Sequence, residues 1–375
     1  MIRRLLTWRN LWRLVKYGLL AGLVGTIVSI AAFLFAARQA QRDFRPVSDP
    51  RAPGLAELIT ATPSYQRAED ATYLTFPEWY LVFNPQEYAQ HLATQPPSTF
   101  PYFRGIAQMW SGYTEVYGIT AKHYPFNPGY NLMLVVICGS STFEFGIKGA
   151  YEKTVGRAFE WTATAPTPED AFAAQVAKEY GDFIPRWPWF EYPFGQKFKE
   201  LWTRHAFFGP NFLRMTERKL FLSLEYGIKA LYATAIRAAS RSVYGVAETE
   251  VFASVHNLSD AAAARQGVRR VQDLGAGRWI ITVPHYQGFT DTVPLLARDG
   301  VGFEEIAGND EIMLTLLAPL GWTYDLGAGQ PLFTMKLLSG GTHQRVAVQA
   351  PVRALSAVLR EMDAKGLRLE HLFDY

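Results

Sequence analysis

The residues best suited to metal or acid–base chemistry are seven histidines, at 91, 123, 205, 256, 285, 343 and 371, and a single cysteine, Cys138. No two histidines stand at the i, i+4 spacing of a helical ligand pair and there is no CxxC. A metal centre would have to be assembled from distant positions such as His285, His343 and His371, and no spacing demands it, so neither metal nor cofactor is expected. The chain also lacks GxGxxG, P-loop and GxSxG patterns. Gly275-x-Gly277 and Gly327-x-Gly329 sit in turn-like contexts rather than phosphate cradles. What remains is His285 with Thr290 and Asp291, just after the strand-like run Trp279–Pro284, where a base could be displayed. Asp291 serves equally as a first-turn helix acid and His285 as a satisfied edge residue, so catalysis at His285 and Asp291 stays open.

A second constellation is an internal echo. Glu144-Phe145-Gly146-Ile147-Lys148-x-x-Tyr151 recurs eighty-one residues later as Glu225-Tyr226-Gly227-Ile228-Lys229-x-x-Tyr232. In each copy Glu precedes Lys by four residues, the favourable order for a helical ion pair. Both copies lie in apolar surroundings, and the segments 132–151 and 220–239 are long enough to cross a bilayer. If both cross, in opposite directions, a rise of about 1.5 Å per residue puts Glu144 level with Lys229 and Lys148 level with Glu225. The motifs are then expected to pair crosswise, with Gly146 and Gly227 permitting close approach. Two other placements remain: the helices pack at the interface against an anchor, or they form a soluble core with surface pairs worth about 0.2–0.5 kcal/mol each.

The elements that must position these residues begin with a membrane anchor. Residues 17–37 are uncharged over twenty-one positions, about 30 Å as a helix, which matches the hydrocarbon core. The run is longer than a signal-peptide core and ends in Ala37-Arg38-Gln39-Ala40, a poor cleavage site. Residues 1–16 form a basic tail carrying five cations, with Trp8 and Trp12 as interfacial anchors, and the positive-inside rule places it narrowly in the cytoplasm. Those five cations exceed the whole chain's net charge of +3, so no nucleic-acid-binding face is expected. One cysteine excludes a disulfide framework, and 49% apolar residues exclude disorder.

Residues 38–71 read as a proline-punctuated linker. From 72 to 245 the chain is aromatic-rich and mainly helical. Asn84-Pro85 has the look of a helix start, and Ile106, Met109, Trp110, Tyr113 and Tyr117 fall on one helical face. Thr167-Pro168-Glu169-Asp170 opens another helix, which Gly181 is expected to close. Trp187, Trp189 and Trp202, interleaved with Arg186, Lys197 and Lys199, suit a lipid headgroup boundary, although the same rings could plug a core.

Residues 246–375 change texture to α+β, with strands expected at 250–255, 279–284, 301–307, 311–318, 332–338, 345–349 and 367–373. A helix from Pro351 ends at Gly366. The echo of Arg298-Asp299-Gly300-Val301 in Ala364-Lys365-Gly366-Leu367 indicates two similar halves, and the expected architecture is an antiparallel sheet of ferredoxin-like type with helices on one face.

Together these features point to a membrane protein, of bacterial inner-membrane type, whose C-terminal domain lies outside the cytoplasm. The expected function is that of a non-catalytic accessory or binding protein engaging the lipid bilayer, or a membrane-protein partner, through its aromatic middle. An extracytoplasmic enzyme acting on an apolar or lipid-like substrate is the alternative. Sequence does not fix the oligomeric state.

Overall fold

The computed structural model describes residues 65–203, 209–243 and 249–375. The basic tail, Trp8, Trp12, the 17–37 segment and most of the linker lie outside the described residues. Among the described residues, eight α-helices precede a sheet-bearing region, the first seven of them shorter than the last. The seven are α1 (Ala71–Leu74), α2 (Phe76–Leu92), α3 (Tyr102–His123), α4 (Pro128–Tyr151), α5 (Arg157–Glu160), α6 (Pro168–Phe183) and α7 (Phe194–Thr203). The long α8 (Phe212–Val243) follows. A π-helical turn, Glu152–Gly156, joins α4 to α5, so one helix runs from Pro128 to Glu160.

Local chemistry explains where these helices start. The Asn127 side chain accepts the Tyr130 N–H and Pro128 occupies the first turn of α4. Thr167 and Asp170 form a reciprocal capping box at the head of α6. α6 runs two residues past Gly181, whose missing side chain admits the Pro85 carbonyl and the Gln86 backbone of α2. Asn84-Pro85 lies inside α2 rather than at its start, because Pro77 already fills the first-turn position where a missing N–H costs nothing.

The C-terminal region contains β1 (Glu250–His256), α9 (Asp260–Gln266), β2 (Arg269–Gly275), β3 (Arg278–Pro284), α10 (Gln287–Arg298) and β4 (Gly302–Ile306). It continues with β5 (Glu311–Pro319), β6 (Gln330–Lys336), β7 (His343–Pro351), α11 (Val352–Ala364) and β8 (Arg368–Phe373). Two four-stranded antiparallel sheets result, ordered β2-β3-β1-β4 and β6-β7-β5-β8. Counted within each half, both orders read second, third, first, fourth. The glycine echo falls at equivalent points: Gly300 and Gly366 both take positive φ between the last helix and last strand of their halves. β2 has no counterpart among the strands expected from sequence, because this edge strand is mostly exposed and carries no apolar alternation.

One core joins both sheets to α10 and α11, including Val255, Phe289, Val293, Leu314, Val348 and Leu355. The other face of the second sheet packs on the helices: Met313, Met335, Leu338 and Phe373 share a buried cluster with Phe76, Trp79, Met109 and Cys138. The fold is thus α+β, with a helical layer on the outer side of the second sheet.

Candidate functional site

The helical layer has an inverted surface. α8 carries seven charged residues from Arg214 to Arg237, yet none of its exposed residues between Phe212 and Ala238 is charged. Leu220, Leu224, Ile228 and Leu231 are 59–76% exposed, while Arg214, Glu217, Arg218 and Lys219 are buried. A helix on a water-soluble surface shows the opposite arrangement. The same holds on α4, where Val136, Phe143 and Ile147 are exposed and Glu144 is the only exposed charge from Pro128 to Thr154. Among the described residues, Pro128–Glu160 is the one helix long and apolar enough to cross a membrane, and only 22% of its most apolar stretch is buried. α8, the expected crossing at 220–239, is helical there but does not share that apolarity.

The charges face each other between α4–α5 and α8. Lys229 lies 3.0 Å from Glu144 and Lys148 lies 2.8 Å from Glu225, so the echoed motifs pair crosswise. Lys229 also meets Glu225 at 3.1 Å. The ladder continues with Tyr151 stacked on Phe221 at 4.0 Å and donating to Glu217 at 2.7 Å. Arg218 then holds Glu152 through two 3.0 Å hydrogen bonds, and Arg214 reaches Glu160 at 3.4 Å and Asp170 at 2.8 Å. Partner numbers fall on one helix as they rise on the other, so the pair is antiparallel. Every cation in this ladder has an acid, as charges withdrawn from water require.

The aromatic segment divides between two roles. Tyr192 and Phe194 are buried against Phe172 and Tyr226, so part of it does plug a core. Trp187 and Trp202 are 61% and 40% exposed, while Trp189 is half-buried and stacks on Tyr232 at 5.2 Å.

A second cluster lies where the helices meet the sheets. His285 follows β3 and is buried, its Nδ1 hydrogen-bonded to the Asp374 carboxylate, which also accepts the Tyr286 N–H at 2.7 Å. Tyr286 sits at φ 58°, ψ −125°, a conformation costly for a residue with a Cβ, and its ring stacks on His285 at 3.8 Å. The sharp turn into α10 needs Gly288, because a Cβ there would stand 2.6 Å from the Pro284 Cβ. Thr290 accepts the Leu372 N–H at 3.0 Å and pairs with His371 Nδ1 at 2.8 Å. His371 is fully buried under Trp79, ring centroids 3.4 Å apart. Burial, then the neighbouring His285, hold its pKa well below the ordinary imidazole value. Burial likewise raises the Asp374 carboxyl, with the His285 hydrogen bond opposing.

The structure therefore brings His285 to Asp374 and near His371, but not to Asp291. Asp291 lies on the surface, paired with Arg186 at 3.0 Å, in a groove of about 470 Å³ between α10, the end of α11 and β8. His343 is exposed and pairs with Thr342. Among the described residues no three His, Cys, Asp or Glu side chains converge as metal ligands. The strained His285–Tyr286 turn invites acid–base chemistry, since an Asp-oriented imidazole is a common base, but neither His285 nor Asp374 lines the groove that holds Asp291. Sequence reading named His371 only as a distant metal-ligand candidate and missed Asp374 and Trp79, because separations of 81 and 89 residues between partners leave no local signal. The buried face of α8 had one: its charges recur at helical spacing through Arg214, Arg218, Glu225 and Lys229.

Compared with known protein families, curated proteins and solved structures, the chain matches none.

Proposed function

We propose that the chain is a membrane-anchored, non-catalytic accessory or binding protein that engages lipid through its helical layer. The observation that carries this reading is the inverted surface of α4 and α8: charges paired inside, large apolar side chains outside. Exposed apolar patches larger than a few hundred Å² mark interaction or membrane surfaces, and soluble monomers rarely keep one. The uncharged segment 17–37 supplies the anchor, in a membrane of bacterial inner-membrane type, with the sheet region in the aqueous compartment outside the cytoplasm. The shared strand order supports two ferredoxin-like halves, the second with a loop where the first has α9.

Vesicle flotation tests the lipid reading. A chain lacking residues 1–40 is expected still to float with phospholipid vesicles. Introducing Phe143→Glu, Leu224→Glu and Ile228→Glu together is expected to weaken that binding by about tenfold or more, since each removes a buried apolar contact of about 1.5–3 kcal/mol. Unchanged flotation of the triple variant would remove the α4–α8 face from the proposal.

The His285–Asp374 pair at a strained turn supports the second reading, an enzyme acting on an apolar or lipid-like substrate. That reading requires Tyr286, half exposed, to mark an entrance to the pair from the helical side.

A further inference from the structure

We infer that α4 and α8 lie along the membrane surface, one leaflet deep, as a two-helix plateau rather than crossing the bilayer. The inference rests on the lipid-engagement reading above and names the occupant of the apolar face: the acyl chains of a single leaflet.

The geometry begins at the ladder. An α-helix turns about 100° per residue, so Phe143 and Ile147, each one residue before a ladder residue, point about 100° away from α8. Leu224 and Ile228 occupy the same position relative to Glu225 and Lys229. In an antiparallel pair seen end-on, one helix approaches the viewer and the other recedes, so the same backward step turns both sets to the same side. Phe143, Ile147, Leu224 and Ile228, all 54–69% exposed, therefore share one face.

The opposite side of α4 is occupied. Trp110 of α3 donates to Thr142 at 2.8 Å, and Tyr102 packs where Gly149 lacks a side chain. That stretch of α3 carries the second sheet on its other side: Gly105 abuts Leu338, Gly112 abuts Met335, and Gln108 donates to the Lys336 carbonyl at 2.8 Å. The sheet thus sits at the level of the middle of α4, behind α3, and not beyond either helix end. Were α4 to cross a bilayer, that sheet would lie at mid-depth in hydrocarbon with its exposed Lys336, alongside the exposed Arg104 and Glu115 of α3. Laid flat, the apolar face enters lipid and every one of these charges stays in water. Interfacial helices bury such faces about 5–10 Å deep. The margins agree: Trp161 is 77% exposed at the α5 end with Arg157 over its ring, and Trp202 stands beside the exposed Lys199 on α7, the ring-and-cation pairing suited to headgroups.

Depth measurement on the full-length protein tests the inference. With the buried Cys138 replaced by Ala, single cysteines at Met133, Phe143 and Val155 along the continuous Pro128–Glu160 helix, and at Leu213, Leu224 and Leu231 on α8, are labelled with a fluorophore. The protein is reconstituted into phosphatidylcholine–phosphatidylglycerol vesicles carrying quenchers at shallow or deep acyl positions. The expected result is stronger shallow than deep quenching at all six sites, with a shallow-to-deep ratio varying by less than about twofold. Deep quenching at Phe143 and Leu231, which the ladder holds level with each other, with shallow quenching at Met133, Val155 and Leu213, would overturn the flat placement and leave lipid engagement standing. No quenching at any site, with full reaction toward a water-soluble thiol reagent, would overturn both. Because all six substitutions are at exposed positions on two helices, misfolding of one variant leaves the pattern readable.

Discussion

Arg345 ties the helical layer to the second sheet. Its buried guanidinium holds Glu87 of α2 at 2.7 Å and Glu370 of β8 at 2.5 Å, and lies 4.3 Å from the Phe83 ring centre. Burial opposes its charge, but Glu370 and then Glu87 outweigh that and push its pKa upward. Replacing it by Met leaves two carboxylates without their cation, so Arg345→Met is expected to cost about 3–5 kcal/mol, read from denaturant unfolding in detergent. His371 gives the pH signature. Its folded pKa lies below the ordinary 6.5, so the unfolded chain binds a proton that the folded one refuses. Its contribution is therefore complete above 6.5 and declines as pH falls below that value, by about 1.4 kcal/mol per pH unit until the folded pKa is reached. His371→Gln is expected to flatten that slope in a series of unfolding curves; an unchanged slope would assign it to other groups.

At the scale of elements, the turn from β3 into α10 concentrates backbone strain at Tyr286 and tight packing at Gly288. Gly288→Ala forces a Cβ against Pro284 and is expected to destabilise by about 1–3 kcal/mol, the usual cost of overpacking, measured as a lowered unfolding midpoint. The helices tell a complementary story of what periodicity reveals. The cap at Thr167 and the strand at Trp279–Pro284 were legible because their chemistry is local. β2 was not, because an exposed edge strand has no buried face to write a pattern of alternation.

At the scale of the whole molecule, the layers run in order from the first sheet through a shared α10–α11 core to the second sheet, then α2 and α3, then α4 and α8 with the apolar face outermost. Under the proposed lipid engagement, this order, more than the length of any one helix, sets how the protein would meet a bilayer. A segment of suitable length crosses only if its neighbours tolerate hydrocarbon, and the neighbours of α4 include a sheet bearing charge.

Sequence by itself determined the elements whose signal is local: the uncharged 17–37 run, most strands, the capped helices, and the paired Glu-x-x-x-Lys motifs with their level-by-level correspondence. Only the tertiary structure decided which way the charges of α8 point and that His285 finds Asp374 rather than Asp291. It alone set the second sheet abreast of the middle of α4. The physical reason is that helical periodicity fixes which residues share a face, but burial of that face depends on what packs against it from far along the chain.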